Sequence, residues 1–132
     1  MSGTVFNEYD ITIHENATYD KFFQWKINDV IVSLEGVTGY MQVRKKITDD
    51  LPILDLPFVA TPWIADGDSG IYMEDVGVDD RYRIYINNED SDGICATHKD
   101  IIGTYNLFLE NASGECILKQ YGEASLIAAV AR

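Results

Sequence analysis

The stretch from residue 103 to residue 121 reads GTYNLFLENASGECILKQY and contains the clearest local signal in the sequence. Tyr105, Leu107 and Leu109 fall on one face of its first half, which is the period-two pattern of a half-buried strand. Residues 111–114 form a turn sequence, and the residues after them supply a second strand that can return along the first. This stretch therefore predicts an antiparallel β-hairpin.

The same period-two alternation recurs on both sides of this hairpin, and no long segment of period 3.6 competes with it. Residues 94–102 fit either an irregular strand or one helical turn. Residues 57–80 contain proline, aspartate and glycine in close succession, so we expect a long loop that ends in a short strand at Ile71–Met73. The predicted strands outside the hairpin are Tyr9–His14, Tyr19–Ile27, Val30–Leu34, Gly39–Lys46, Leu51–Leu56, Arg81–Asn87 and Ala124–Ala131.

These segments define the expected fold class. The chain has 132 residues, which is the size of one domain with one core. Short strands at this spacing are typical of sandwiches and barrels. We therefore predict an all-β fold, an immunoglobulin-like β-sandwich of about eight or nine short antiparallel strands. The whole chain, residues 1–132, forms this single domain, with an irregular insertion at about 57–80.

The charge of the chain limits its partners. Acidic residues outnumber basic ones by 22 to 10, which gives a net charge of −12. Because phosphate binding depends on Lys and Arg, we expect no nucleic-acid partner. We also expect no membrane partner, since no apolar run of about 18 residues occurs, and no secretory signal, since residues 1–10 lack a basic and an apolar region. The acidic surface either serves solubility or orients a docking partner.

No constellation for catalysis is recognisable. His14 and His98 lie in polar segments without metal-ligand spacing, and we expect both to be exposed and without a role. Cys95 and Cys116 are too few for a disulfide scaffold, so we expect reduced, partly buried thiols. The sequence contains neither a serine nucleophile motif nor a glycine-rich phosphate loop. We therefore predict no enzyme activity, no catalytic residue and no cofactor. A small hydrolase or metal-dependent enzyme is the weakest hypothesis.

Two loops resemble calcium-binding sites in sequence. Residues 66–69 and 88–93 carry Asp, Asn and Ser side chains, and hard cations prefer such clustered oxygen ligands. In the second loop Lys99 occupies the twelfth position, where a calcium-binding loop requires a bidentate glutamate. Both clusters are better explained by turn geometry, so we predict no metal site.

Aromatic residues on the polar side of strands are more informative. Phe22, Tyr40, Tyr85 and Phe108 each occupy a strand position whose neighbours on that face are polar. The final apolar run, which contains Ile127, is apolar in both alternations, as in strands that are buried on both faces. Such surface is covered either by a second layer of this chain or by another subunit. We predict these four aromatic residues and Ile127 as protein contacts.

Trp63 is a separate candidate. It follows Pro62 in an irregular stretch, where it either anchors the loop or contacts a small ligand. Together with the loop Asp66–Gly70 it supports the alternative function, a carbohydrate- or host-receptor-binding module.

Two groups of short motifs together resemble the N-terminal β-sandwich domain of bacteriophage baseplate upper proteins and related tail, baseplate and neck accessory proteins. Their order and separations agree over about two-thirds of the chain. Residues 47–80 depart from the pattern, because they are longer and richer in Pro, Asp and Gly, and Val37–Thr38 is an addition. The motifs are Asp10–Ile13, Phe22–Lys26, Val32–Gly36, Gly39–Arg44, Gly103–Leu109, Ser113–Gly114, Ile117–Leu118, Gly122 and the final run to Arg132.

The resemblance implies an assembly function. It implies a non-catalytic structural protein of the phage virion, located in the tail, baseplate, neck or capsid surface. Its partners would be other virion proteins, which it would contact in several copies within a symmetric assembly. Its location would be the virion, assembled in the host cytoplasm. The family has no catalytic residues that could be transferred to this sequence.

Overall fold

The computed structural model describes residues 4–46, 51–95 and 99–129. Strands make up 52% of it and helix 3%, so the fold is all-β. One helical turn, α1 (Asn88–Ser91), precedes the central hairpin. The strands in the described part are β1 (Val5–Glu8), β2 (Ile11–His14), β3 (Tyr19–Gln24), β4 (Lys26–Ile27), β5 (Val30–Ile31), β6 (Thr38–Arg44), β7 (Leu54–Leu56), β8 (Gly70–Glu74), β9 (Arg81–Ile86), β10 (Ile101–Glu110) and β11 (Cys116–Ile127).

The predicted hairpin forms the centre of a six-stranded sheet, here called the large sheet. β10 and β11 pair antiparallel, with Tyr105 opposite Gly122 and Leu109 opposite Leu118, which confirms the hairpin. Gly114 has a φ of 83° in the turn, a conformation that glycine adopts without a steric penalty. The strand order is β1-β11-β10-β6-β7, and β2 pairs with β11 beyond the end of β1.

β11 runs unbroken through residues 122 and 123, where the sequence pattern predicted a break. A Cβ atom on Gly122 would lie 2.5 Å from the carbonyl oxygen of Tyr9 and 2.8 Å from Oδ1 of Asp10. The chain passes from β1 to β2 at this point, and the Glu123 N–H donates to Asp10 Oδ1 at 2.9 Å. The glycine therefore allows a neighbouring strand to approach closely and does not end its own strand.

The first two strands also differ from the prediction. β1 and β2 both pair parallel to β11, whereas an antiparallel arrangement was expected throughout. Parallel pairing needs a long connection between the partners, and here almost the whole chain separates them. The start of the chain thus lies beside its last strand. The predicted number of eight or nine strands is also lower than the eleven in the described residues.

A second, smaller sheet contains β3, β9 and β8 in that order and is here called the small sheet. The predicted short strand at Ile71–Met73 is confirmed as part of β8, and a loop precedes it. β4 and β5 form a separate two-stranded hairpin, whose turn residues Asn28 and Asp29 have φ values of 53° and 66°. Of residues 94–102, the last two begin β10, and the helical turn lies earlier, at α1.

Both sheets contribute to one hydrophobic core. Within it, a polar network joins the sheets. Gln120 of β11 is fully buried, accepts a hydrogen bond from the Tyr82 hydroxyl at 2.6 Å and donates to the Tyr105 hydroxyl at 3.1 Å. Burial is the main reason that the pKa of Tyr105 rises to about 12. Because these polar groups have partners, the core accommodates them without a large desolvation penalty.

Candidate functional site

The outer face of the large sheet carries a row of side chains across four strands. Tyr40 lies opposite Phe108, Phe108 lies opposite Lys119, and Lys119 lies opposite Phe6. The rings of Tyr40 and Phe108 are 5.1 Å apart between centroids, and Lys119 Nζ lies 5.6 Å from the Phe108 centroid. Phe6 is 64% exposed and Tyr40 is 38% exposed. These four residues are here called the aromatic row, and together they form a continuous surface.

The phenol of Tyr40 is neutral at physiological pH. Partial burial, followed by the nearby carboxylate of Glu110, raises its pKa above the ordinary value. Its hydroxyl therefore remains a hydrogen-bond donor beside the aromatic rings of this surface. A group of this kind adds direction to a contact that buries the ring.

Beside the aromatic row, the same face contains a shallow cavity of about 420 Å³. Tyr121 lies opposite Asn106 within it, one step further along the strands from Phe108 and Lys119. Ile102, which is 69% exposed, forms part of its wall. Three acidic residues also line it, namely Glu8, Asp10 and Glu123. The face thus combines an aromatic centre with a margin that carries three carboxylates at the cavity and Arg44 opposite Thr104.

The structure brings together only part of the predicted contact set. Tyr40 and Phe108 are neighbours in the aromatic row, and Ile127 lies on the same sheet, half-buried and opposite His14. Phe22 lies on the other sheet, where it is 49% exposed. The guanidinium carbons of Arg81 and Arg83 lie 4.8 and 5.7 Å from the centroid of its ring.

Tyr85 is not part of an open surface. Its side chain is only 2% exposed, so the expectation of a contact with another protein there is wrong. Trp63 packs edge-on against it with centroids 5.6 Å apart, and the N–H of Asp66 donates to its hydroxyl at 2.9 Å. The loop between β7 and β8 therefore supplies the second layer over this residue from within the chain.

The apolar C-terminal run also has internal cover. Leu126 is fully buried, Ile127 and Ala128 are half-buried, and the strand ends at Ile127. The buried carboxylate of Glu15 accepts hydrogen bonds from the backbone N–H groups of Ala129 and Cys95, each at 3.0 Å. The predicted strand therefore extends less far than residue 131, and residues 130–132 lie outside the described part.

Charged groups dominate the outer face of the small sheet. Arg83 forms a bidentate pair with Glu74, with distances of 2.6 and 3.0 Å, and a further ion pair with Asp20. The guanidinium carbon lies 4.0 Å from the centroid of the Trp63 ring. The hydrogen bond to Glu74 is the main reason that the pKa of Arg83 is raised. Arg81 pairs with Asp75 on the same face.

The two loops that imitate calcium sites meet in the structure. Ser69 Oγ donates to Asp90, and it accepts from the backbone N–H of Asn87 at 2.8 Å. The Asn87 side chain caps α1 by accepting from the Asp90 N–H at 3.0 Å. Across residues 4–46, 51–95 and 99–129, no group of three or more His, Cys, Asp or Glu side chains is placed to hold a metal ion.

The histidines and cysteines are the remaining candidates for chemistry. His14 is exposed on β2, and His98 lies outside the described residues. Cys95 and Cys116 form no disulfide with each other; the first is buried and the second is half-buried. Within the described part of the chain, no helix has the length and apolar character needed to cross a membrane.

Sequence reasoning missed two members of the outer face. Phe6 was missed because the first strand was placed from Tyr9 onward, and residues 5–8 (VFNE) show no alternation of apolar and polar residues that would reveal a strand. Ile102 was missed because it falls in the segment that fitted either a strand or a helical turn. A scan of the sequence against protein-family models and a search of curated proteins found no match.

Proposed function

We propose that the protein is a non-catalytic structural subunit of a bacteriophage virion. It acts as an assembly or attachment component of the tail, baseplate, neck or capsid surface through protein–protein contacts. The observation that supports docking is the aromatic row, because exposed aromatic side chains in contiguous patches are typical of protein interfaces. The motifs that resemble baseplate upper proteins support the phage context, and the virion, assembled in the host cytoplasm, is the corresponding location.

The proposed docking surface is the outer face of the large sheet. Tyr40, Phe108 and Phe6 would be buried at its centre, where the loss of apolar area from water stabilises a complex. The acidic residues of the neighbouring cavity would form the margin, where charge steers association and sets orientation.

The proposed partner is a different virion protein with a basic margin around an apolar patch. A net charge of −12 on each copy opposes direct pairing of two such faces. Several copies of the chain would therefore be arranged by the symmetry of the partner assembly. The same proposal includes the finer description of the fold as an immunoglobulin-like β-sandwich, which is supported by the common core of the two sheets.

The first test is the composition and neighbourhood of the chain in purified particles. Mass spectrometry of virions should detect the chain at several copies per particle, and cross-linking should join it to one virion protein. If the chain is missing from particles, the proposed location is wrong.

The second test separates the two outer faces. Binding of the cross-linked virion protein, purified and measured by calorimetry, should weaken at least tenfold in Phe6→Arg and in Tyr40→Ala, a change of about 1.4 kcal/mol or more. Phe22→Ala on the small sheet is the matched control and should bind like the unaltered protein. Equal losses in all three variants would contradict the assignment of the docking face.

A further inference from the structure

The loop that covers the small sheet borders an open cavity of about 450 Å³. Residues 60–63 of the loop form one wall, residues 73–75 at the end of β8 form another, and Arg81 and Arg83 of β9 complete it. This volume falls within the range of about 300–1,000 Å³ that is typical of small-molecule sites. The cavity lies on a different sheet from the proposed docking surface.

The cationic groups that line this cavity are already paired. Arg81 pairs with Asp75, and Arg83 pairs with Glu74 through two hydrogen bonds of 2.6 and 3.0 Å. Arg83 also pairs with Asp20, which is not among the lining residues, so both guanidinium groups have acidic partners. An anionic or cationic ligand would compete with an existing ion pair, whereas a neutral ligand with hydroxyl groups can donate to the carboxylates and accept from the guanidinium groups.

Trp63 provides an aromatic surface in the same cavity. Its side chain is partly exposed, and it is fixed by Arg83 at 4.0 Å from the ring centroid and by Tyr85 at 5.6 Å between centroids. An indole that is held in place loses little conformational entropy when a ligand packs against it. Aromatic rings of this kind offer an apolar surface to the C–H groups of a sugar ring.

Two buried N–H groups at the cavity have no acceptor. Trp63 Nε1 and Arg81 Nε are buried and make no hydrogen bond within the described residues. Unpaired buried donors raise the free energy of the folded structure, so a ligand oxygen that accepted from either group would stabilise the complex.

We propose that this cavity binds a neutral saccharide, with Trp63 as the stacking ring. The carboxylates of Glu74 and Asp75 accept hydrogen bonds from sugar hydroxyls, and Arg81 donates to a hydroxyl oxygen. The site does not depend on the proposed assembly function, because the two surfaces belong to different sheets. It would give a virion subunit a contact with a glycan.

The test uses the full purified chain on an array of neutral and anionic glycans, followed by calorimetry with the strongest neutral hit. We expect binding to at least one neutral saccharide, and an affinity at least tenfold lower in Trp63→Ala. Phosphate and acetate at equal concentration should give no heat of binding. No signal from any neutral glycan, or a preference for the anionic ones, would overturn the proposal.

Two further variants keep the test valid if Trp63→Ala is poorly folded. Ala60→Gln places a longer neutral side chain in the cavity from an exposed position, so it should block the saccharide while circular dichroism remains unchanged. Tyr40→Ala removes an aromatic ring from the large sheet and should leave saccharide binding intact. Binding that survives both Trp63→Ala and Ala60→Gln would place the glycan elsewhere and contradict the proposed site.

Discussion

The outer faces of the two sheets carry similar residues, but these residues differ in how far other parts of the chain bury them. On the small sheet, Tyr85 is covered by Trp63, and Arg83 is paired with Glu74. On the large sheet, Phe6 and Tyr40 remain open to solvent. An aromatic residue on the polar side of a strand is therefore either covered by another segment of the same chain or left exposed in a surface patch.

The difference arises from the connections between strands. The segment between β7 and β8 folds back over the small sheet, and its Val59 N–H donates to the carbonyl oxygen of Ile71 at 3.0 Å. Within the aromatic row, by contrast, β10 is joined to β11 by the tight turn at Gly114, which is too short to cover a sheet face. Cover from within the chain thus depends on a long connection, and an open face indicates where another molecule can bind.

The largest expected loss of stability follows from the removal of Tyr85, the tyrosine that Trp63 covers. Tyr85→Ala should lower the free energy of unfolding by about 3–5 kcal/mol, because it leaves a cavity under Trp63 and an unpaired N–H at Asp66. Urea unfolding followed by circular dichroism measures this difference. Tyr40→Ala on the large sheet is the matched control, and we expect a loss below about 1 kcal/mol. Similar losses at both positions would mean that the two faces do not differ in cover.

Much of the fold was predictable from local patterns. The central hairpin follows from Tyr105, Leu107 and Leu109 on one face and from a turn with Gly114, signals that depend only on nearby residues. The parallel pairing of β1 and β2 with β11 was not predictable, because it joins the two ends of the chain. Gly122 was interpreted as a strand break because its actual role, room for Tyr9, is a tertiary contact.

The candidate site was predictable in part. Tyr40 and Phe108 were identified from their faces, but their pairing in adjacent strands required the register of β6 and β10. Phe22 and Tyr85 gave the same sequence signal, yet they lie on the other sheet. The pattern of alternation states which face a residue occupies, but it does not state what packs on that face. The path of the connecting loops decides what packs on each face, and it cannot be read from the alternation.

The second largest expected loss of stability concerns the ion pair between Arg83 and Glu74 on the small sheet. Glu74→Gln should lower the free energy of unfolding by about 1–3 kcal/mol, since it removes the charge that pairs with the half-buried Arg83. Glu110→Gln on the large sheet is a control of identical chemistry and should have less effect. Urea unfolding at low and high salt measures both variants. A larger loss in Glu110→Gln would reverse the comparison between the two faces.

A third prediction concerns pH at the turn before β9. Asp80 accepts hydrogen bonds from the backbone N–H groups of Leu34 and Gly77, each at 3.0 Å, and these hold its pKa below the ordinary value. A lowered folded-state pKa contributes stability above the unfolded value of about 3.9. This contribution is lost as the pH falls below about 4 and through the lower folded-state pKa.

Asp80→Asn should therefore reduce stability at neutral pH and flatten the decrease in stability as the pH falls below about 4. We expect a smaller change than for Glu74→Gln, because two neutral backbone donors are involved rather than a guanidinium group. Asp55→Asn, on the exposed side of β7, serves as the control. Thermal melts from pH 2 to pH 7 measure the effect, and identical acid profiles for Asp80→Asn and the unaltered protein would refute it.

The smallest expected loss of stability concerns Phe22, whose exposure lies between that of Tyr85 and that of Phe6. Phe22 lies on the small sheet but is 49% exposed, and its contacts are with Arg81 and Arg83. Phe22→Ala should lower the free energy of unfolding by about 0.5–1 kcal/mol, as expected for exposed cation–π contacts. A double-mutant cycle with Arg81→Gln should recover a coupling energy of that size. A coupling near zero would show that the arginines do not stabilise Phe22, and this half-exposed ring would then resemble Tyr40 on the large sheet.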